Sequence, residues 1–264
     1  MAKKVVVCIA KNEALDLAEW MAFYFSMGFD AIVVYDNNSS DGTRDVVRNF
    51  MRHFDVRLRP WHRSDKFYQI GAYQHAIDHN NGEFDWALFV DVDEFVIGFQ
   101  GDFIEGFHQT VSQVHLNWAI FGSSGHKLRP QGLVIENYCY RVPDEHGGNR
   151  HTKSFVRLSH AMQCANPHYF RVTGRSVNIV GDPMVWSENP GPGVATHQRL
   201  DGPRINHYWI KSAADWRRKC ERGYPEGVIR TEKQRLDLDA ESTVYDNSAF
   251  VYVEATRHIL HLVS

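Results

Sequence analysis

An open α/β fold, a mostly parallel, Rossmann-like sheet flanked by helices with a smaller C-terminal region, is predicted by two features of the first ninety or so residues. Short apolar, β-branched runs each stop at a polar loop, and segments with helical spacing separate them, giving three crossovers in quick succession. Val5 to Ala10 reads as a strand buried on both faces and stopped by Lys11-Asn12-Glu13. Leu15, Ala18, Met21, Ala22 and Phe25 then repeat at helical spacing, and Gly28 stands where a C-terminal cap belongs. Ala31 to Tyr35 is a second strand. It leads into a turn-rich loop, Asp36 to Thr43, in which Asp41 or Thr43 caps a helix running toward Phe54. Val56 to Leu58 reads as a third strand, Asp65 to Asn80 as a third helix, and Trp86 to Val90 as a fourth strand ending at Asp91.

Beyond residue 100 the pattern loosens. Strands are expected near Val114 to Phe121 and Ser154 to Leu158, and helices at Leu133 to Tyr140, Ser212 to Arg222 and Asn247 to Leu262. The Gly- and Pro-rich stretch Gly181 to Pro203 reads as a long surface loop. No repeat or linker divides the chain, so one domain is expected over 1–264, with an N-terminal half (1–97), a second half (98–223) and a helical tail (224–264).

Composition narrows the function. With 264 residues and 43% hydrophobic content the chain can bury a core without disulfides or metal staples. The 29 Lys+Arg against 32 Asp+Glu leave a net charge of -3, too little positive field for a nucleic-acid partner. Cys8, Cys139, Cys164 and Cys220 form no C-x-x-C pair, which argues against a zinc ribbon and fits reduced thiols in a cytoplasm. The apolar run after Lys4 is shorter than a signal-peptide core, and no stretch approaches the ~18 to 20 apolar residues of a membrane span. A cytoplasmic protein is expected, with any membrane contact peripheral.

Ligands on open α/β sheets bind outside the carboxyl ends of the strands, where the loops 11–13, 36–41 and 91–94 would converge. The sharpest local signal is Asp91-Val92-Asp93-Glu94, three carboxylates released by a buried strand. In extended chain Asp91 and Asp93 point to the same side, so both can reach one hard divalent cation and leave positions open for phosphate oxygens. A bare D-x-D is more often a solvated strand end; its place after a buried strand favours a metal-diphosphate site.

Val5 to Glu13, Tyr35 to Thr43 and Asp91 to Phe95 resemble the three opening motifs of GT-A glycosyltransferases of the family-2 type. The resemblance is closest to the family-92-like subgroup, whose further signatures match Trp118 to His126, Lys153-Ser154 and Ile205 to Ser212; it covers residues 4 to about 223. It implies a metal-dependent, inverting glycosyltransferase of the hexosyltransferase class, acting in polysaccharide or lipid-linked glycan assembly at the inner membrane face. The sugar would pass from a nucleotide-sugar donor, foremost a UDP-sugar, to a glycan or lipid-linked acceptor. By the same resemblance Ala10, Lys11, Asn12, Glu13 and Asp36 would hold base and ribose, with Asn38 and Asp41 nearby. Asp91, Val92 and Asp93 would face the diphosphate; Asp91, Asp93 and His207 would bind Mn²⁺ or Mg²⁺; Lys211 would neutralise the leaving group. The first loop supports this, since carboxylates accept an imide N–H or ribose hydroxyl, whereas a phosphate cradle would call for glycines and amides.

The acceptor side is read at Gly122, Ser123 and His126, and the catalytic base at Glu136, chosen over Asp144, Glu145, Asp182 and Glu188. Trp118 and Tyr208 could stack on sugars or belong to the core, and His168 could wall the site or pack within it. Gln69 and Gln74 cannot share a helix face, so at most one points toward the donor. Arg217-Arg218-Lys219 with Arg222 could meet an anionic surface but reads first as a solvated helix face. Three other functions compete. A haloacid-dehalogenase-type phosphatase would carry its D-x-D on the first strand, a nucleotidyltransferase would need a Gly-rich basic first loop, and an inactive nucleotide-sugar-binding protein would share the scaffold.

Overall fold

The computed structural model describes residues 1–99, 103–223 and 229–264. Its first half is β1 (Lys4–Ala10), α1 (Leu17–Ser26), β2 (Ala31–Asp36), α2 (Thr43–Phe50), β3 (Val56–Pro60), α3 (Tyr68–Asn80) and β4 (Trp86–Phe89). The strands are parallel in the order β3-β2-β1-β4, the expected crossover sheet. Alternation along β1 explains why it is apolar throughout. Val6 and Cys8 pack with α1 residues such as Trp20 and Phe23 on one face, while Val5 and Val7 pack with Ala72, Tyr73 and Ala76 of α3 on the other. Gly28, at φ +79, ends α1 as its position predicts. Asp41 accepts a hydrogen bond from the Thr43 backbone N–H at 2.9 Å and so helps to start α2.

The chain continues through β5 (Glu94–Ile97), β6 (Val111–Ile120), α4 (Val134–Asn137), β7 (Tyr140–Arg141), β8 (Thr152–Arg157), β9 (Ala161–Asn166), β10 (Tyr169–Val172), β11 (Arg175–Val177) and β12 (Arg204–His207). It then adds α5 (Ala213–Glu221), α6 (Glu232–Glu241), β13 (Val244–Tyr245) and α7 (Val253–Val263). The sheet extends past β4 in the order β8-β6-β12-β5, with β8 antiparallel to both neighbours, β5 antiparallel to β12, and β11 parallel to β6. The sheet is therefore mixed but mostly parallel. The 181–203 segment contains no regular element, as expected.

Two expectations change. The helix read at Leu133 to Tyr140 is a single turn, because Glu136 folds back to accept the Leu133 N–H at 2.7 Å and Tyr138 leaves in extended conformation. Strands β5 and β12 were not expected from the sequence. The C-terminal region, read as a helical tail, is bound into the body: β13 pairs with β7, and α7 packs on α1. Residues 224–228 of that tail lie outside the described residues. All four cysteines are free. Among the described residues no helix is long and apolar enough to cross a membrane.

Candidate active site

The acidic segment is a turn between β4 and β5, not the extended strand the alternation argument assumed. Its backbone is pinned from three sides. Trp20 Nε1 donates to the carbonyls of Asp91 and Glu94 at 3.0 and 3.1 Å, the Tyr24 hydroxyl donates to the Glu94 carbonyl at 3.0 Å, and the Tyr208 N–H donates to the Asp93 carbonyl at 2.9 Å. Buried aromatics of α1 thus fix the turn that presents the carboxylates, the kind of supporting shell that holds a site to a single geometry.

Asp91, Val92 and Asp93 line a cleft of about 250 Å³ together with Ala10, Lys11 and Asn37 from the first two loops, and with Gln69, Trp118, His168 and His207. Adjoining it, a larger cleft of about 590 Å³ is lined by Asn12, Asp16, Asp41, Lys211 and Asp215. Glu13, Asp93, Trp209, Lys219 and Arg222 belong to both walls.

Each carboxylate of the acidic turn has a cation. Asp91 accepts from Lys153 Nζ at 3.0 Å and from Gln69 Nε2 at 2.8 Å; Asp93 pairs with Lys219 Nζ at 2.5 Å and lies 3.6 Å from His207 Nε2. Burial works to raise both acids, but Lys153 outweighs it at Asp91, and Lys219 with His207 outweighs it at Asp93, so both stay below the usual carboxylate range. Glu94 is the opposite case. Fully buried, with Oε1 lacking a partner, it is pushed well above its ordinary value by burial, although Lys153 stands 3.4 Å away.

The first two loops are knitted together. Asn12 N–H donates to Ser39 Oγ at 3.0 Å, Ser40 N–H to Asn12 Oδ1 at 2.8 Å, Glu13 N–H to Thr43 Oγ1 at 2.8 Å, and Ala14 N–H to Asp41 Oδ2 at 3.1 Å. Asn12 and Asn38 adopt positive φ, which asparagine tolerates better than most residues. Asp36 is buried and pairs with Arg44 at 2.6 Å, while Asn38 pairs with His62; neither lines a cleft.

Other candidates lie elsewhere. The Lys211 ammonium pairs with Asp16 at 2.6 Å, and the cation touching Asp93 belongs to Lys219. Lys211 and Arg129 outweigh the burial of Asp16 and hold it down to about 2. Glu136 lines neither cleft: one carboxylate oxygen closes its own turn and the other pairs with Arg257 at 2.6 Å, so the carboxylate chosen as base is engaged away from Asp91 and Asp93. Gly122, Ser123 and His126 also stand outside both clefts. Ser123 is tied to Asp239 through its N–H at 2.6 Å and its hydroxyl at 2.8 Å, Gly122 leaves no room for a Cβ against Ser242, and His126 meets the Asn137 carbonyl at 3.2 Å. Tyr208 is core, against Phe95 and Phe121. Of the two glutamines, Gln69 takes the site while Gln74 accepts from the Cys164 N–H at 2.9 Å.

Two hard carboxylates facing one cleft beside an imidazole are a donor set suited to Mn²⁺ or Mg²⁺, and His207 Nδ1 is a buried nitrogen with no hydrogen-bond partner. Among the described residues no three His, Cys, Asp or Glu side chains already form a metal cluster, because lysines hold the two aspartates.

The class of protein follows from the sequence match set beside this sheet and cleft. The model of glycosyltransferase family 92 matches residues 3–191, and the chain belongs to that family. Among its relatives, a family 92 protein of Oryza sativa subsp. japonica is 29% identical over 175 residues, covering 59% of this chain and 27% of that protein. One of Ricinus communis is 26% identical over 157 residues, covering 54% of this chain and 28% of its own length. The chain thus matches little more than a quarter of either relative. Among solved structures, S. aureus TarS 1-349 aligns with a TM-score of 0.40 at 17% identity, over 60% of this chain and 47% of that one. Glucosyl-3-phosphoglycerate synthase from Mycobacterium tuberculosis, in complex with Mn²⁺, UDP and glucosyl-3-phosphoglycerate, aligns at 0.31 and 17% identity, over 46% of this chain and 45% of that one.

Proposed function

We propose that this glycosyltransferase transfers a hexose from a nucleotide-sugar donor, foremost a UDP-sugar, to a hydroxyl of a glycan or lipid-linked acceptor, with a divalent cation and with inversion at the anomeric carbon. The observation that carries the reading is the placement of Asp91 and Asp93 together on the small cleft, at the carboxyl end of the sheet and facing the first two loops. Ala10, Lys11 and Asn37 border the nucleotide side. Asp91 and Asp93, with His207 beside them, would hold Mn²⁺ or Mg²⁺, which would draw charge off the diphosphate as it departs. Gln69 fixes the Asp91 carboxylate, and Trp118 offers an apolar face to a sugar in the same cleft. The acceptor enters by the larger cleft, whose wall meets the donor cleft at Glu13, Asp93 and Trp209; the proton of its attacking hydroxyl passes to a carboxylate of that wall.

Thermal melts with UDP-, GDP-, CMP- and dTDP-linked sugars, each with Mn²⁺ and with EDTA, test the donor class. The expected result is a raised midpoint with a UDP-sugar and Mn²⁺ together, since a ligand at a hundred times its Kd adds about 2.7 kcal/mol. The reading fails if no nucleotide sugar moves the midpoint in either condition.

A further inference from the structure

Two lysines neutralise the acidic turn, and they are held very differently. Lys153 comes from the central strand β8, its side chain is 0% exposed, and two carboxylates, Asp91 and Glu94, fix its ammonium. Lys219 comes from the last turn of α5, is 14% exposed, and is held by one carboxylate, Asp93, and one carbonyl, that of Trp209 at 2.8 Å. It lies on the wall of both clefts, with Arg222 one helical turn further on and Arg230 also facing the smaller cleft. Lysine carries its charge on a flexible four-carbon stem, so an ammonium with this setting can change partners without moving the backbone. Lys211 is not placed for the same task, because its ammonium is engaged by Asp16.

Lys219 and a divalent cation would compete for Asp93, since two cations cannot share one carboxylate oxygen at contact distance without strong repulsion. An ammonium leaving Asp93 inside this cleft needs another anion, and on the donor reading above the diphosphate is that anion. We propose that Lys219 is a further catalytic residue that exchanges partners: it neutralises Asp93 in the free protein and moves to the diphosphate oxygens when donor and divalent cation bind. This rests on the nucleotide-sugar reading. It assigns to Lys219 the leaving-group contact that the sequence resemblance implied for Lys211, and it makes the lysine a stand-in that keeps the acidic pair neutral between turnovers.

The test uses the full chain with Mn²⁺ alone as first probe, free Mn²⁺ being followed by electron paramagnetic resonance, and UDP as second probe at saturating Mn²⁺. Relative to wild type, Lys219→Met is expected to bind Mn²⁺ more tightly without nucleotide and to bind UDP about tenfold more weakly in its presence, a loss of about 1.4 kcal/mol. Lys219→Arg keeps the charge and should stay near wild type in both titrations, and it also serves if the methionine variant does not fold. Unchanged or weaker Mn²⁺ binding by the methionine variant, or undiminished UDP binding, would overturn the exchange. If Lys219→Arg alone is folded, a large gain in Mn²⁺ affinity despite the retained charge would overturn it. Failure of wild type itself to bind UDP with Mn²⁺ would instead remove the donor reading on which the proposal stands.

Discussion

Asp93→Asn is expected to lower transfer by about 10² to 10³-fold, the scale of losing one preorganised electrostatic contact to developing charge. Asparagine keeps the shape and an acceptor oxygen but removes the anion that Lys219 and His207 face at 2.5 and 3.6 Å. The substitution also carries a stability cost. Asp93 and Lys219 are only 15% and 14% exposed, so the lysine is left nearly buried without a counter-charge. Removing one partner of a buried pair costs about 3 to 5 kcal/mol, and with a water-accessible cleft on one side about 1 to 3 kcal/mol is expected here. Steady-state kinetics at saturating Mn²⁺ with a urea melt separates the two effects. Wild-type turnover in a folded Asp93→Asn protein would remove Asp93 from the mechanism.

The largest stability effect is expected at Lys153. Lys153→Met leaves Asp91 and Glu94 without their shared cation, and Glu94 is fully buried with one oxygen already unpartnered. A loss of about 3 to 5 kcal/mol follows at neutral pH. Its pH dependence identifies the cause. Burial already raises the Glu94 carboxyl, and loss of Lys153 raises it further above its unfolded value. A group whose pKa is raised on folding contributes its stability below the unfolded value and loses it as pH rises through the folded one. The deficit of Lys153→Met should therefore shrink toward pH 5 and widen toward pH 8. Urea melts at the two values check it; an equal deficit at both would show that lost packing, not charge, dominates.

The first half of the fold was legible because each strand there is a β-branched run bounded by polar loops, and each crossover carries its own helical period. Strands β5 and β12 were not. Their partners are far apart in sequence, and Arg204-Ile205-Asn206-His207 shows no apolar run, since its polar side chains meet Tyr208, Asp246 and the cleft. The position of the acidic turn at a cleft was readable from the strand that precedes it. Its lysines were less so. Lys153 had a signal, one charge inside an otherwise buried strand, and such a charge needs a buried partner. Lys219 lay hidden in Arg217-Arg218-Lys219, because successive helix residues turn by about 100° and composition does not say which one faces inward. Arg217 and Arg218 are exposed, as a solvated face requires, and Lys219 is the one that turns to the site. Glu136 misled for a related reason. An isolated acid after a loop looks available, yet here it satisfies its own turn and Arg257.

The central claim is that the nucleotide lies at the carboxyl ends of β1, β2 and β4, beside the acidic turn. Photolabelling with 5-azido-UDP and Mn²⁺, followed by peptide mapping, tests it most directly. The base is predicted to mark a peptide from residues 9–13 or 36–41, with labelling suppressed by excess UDP and by EDTA. Label confined to the C-terminal segments, or insensitive to UDP, would contradict the account.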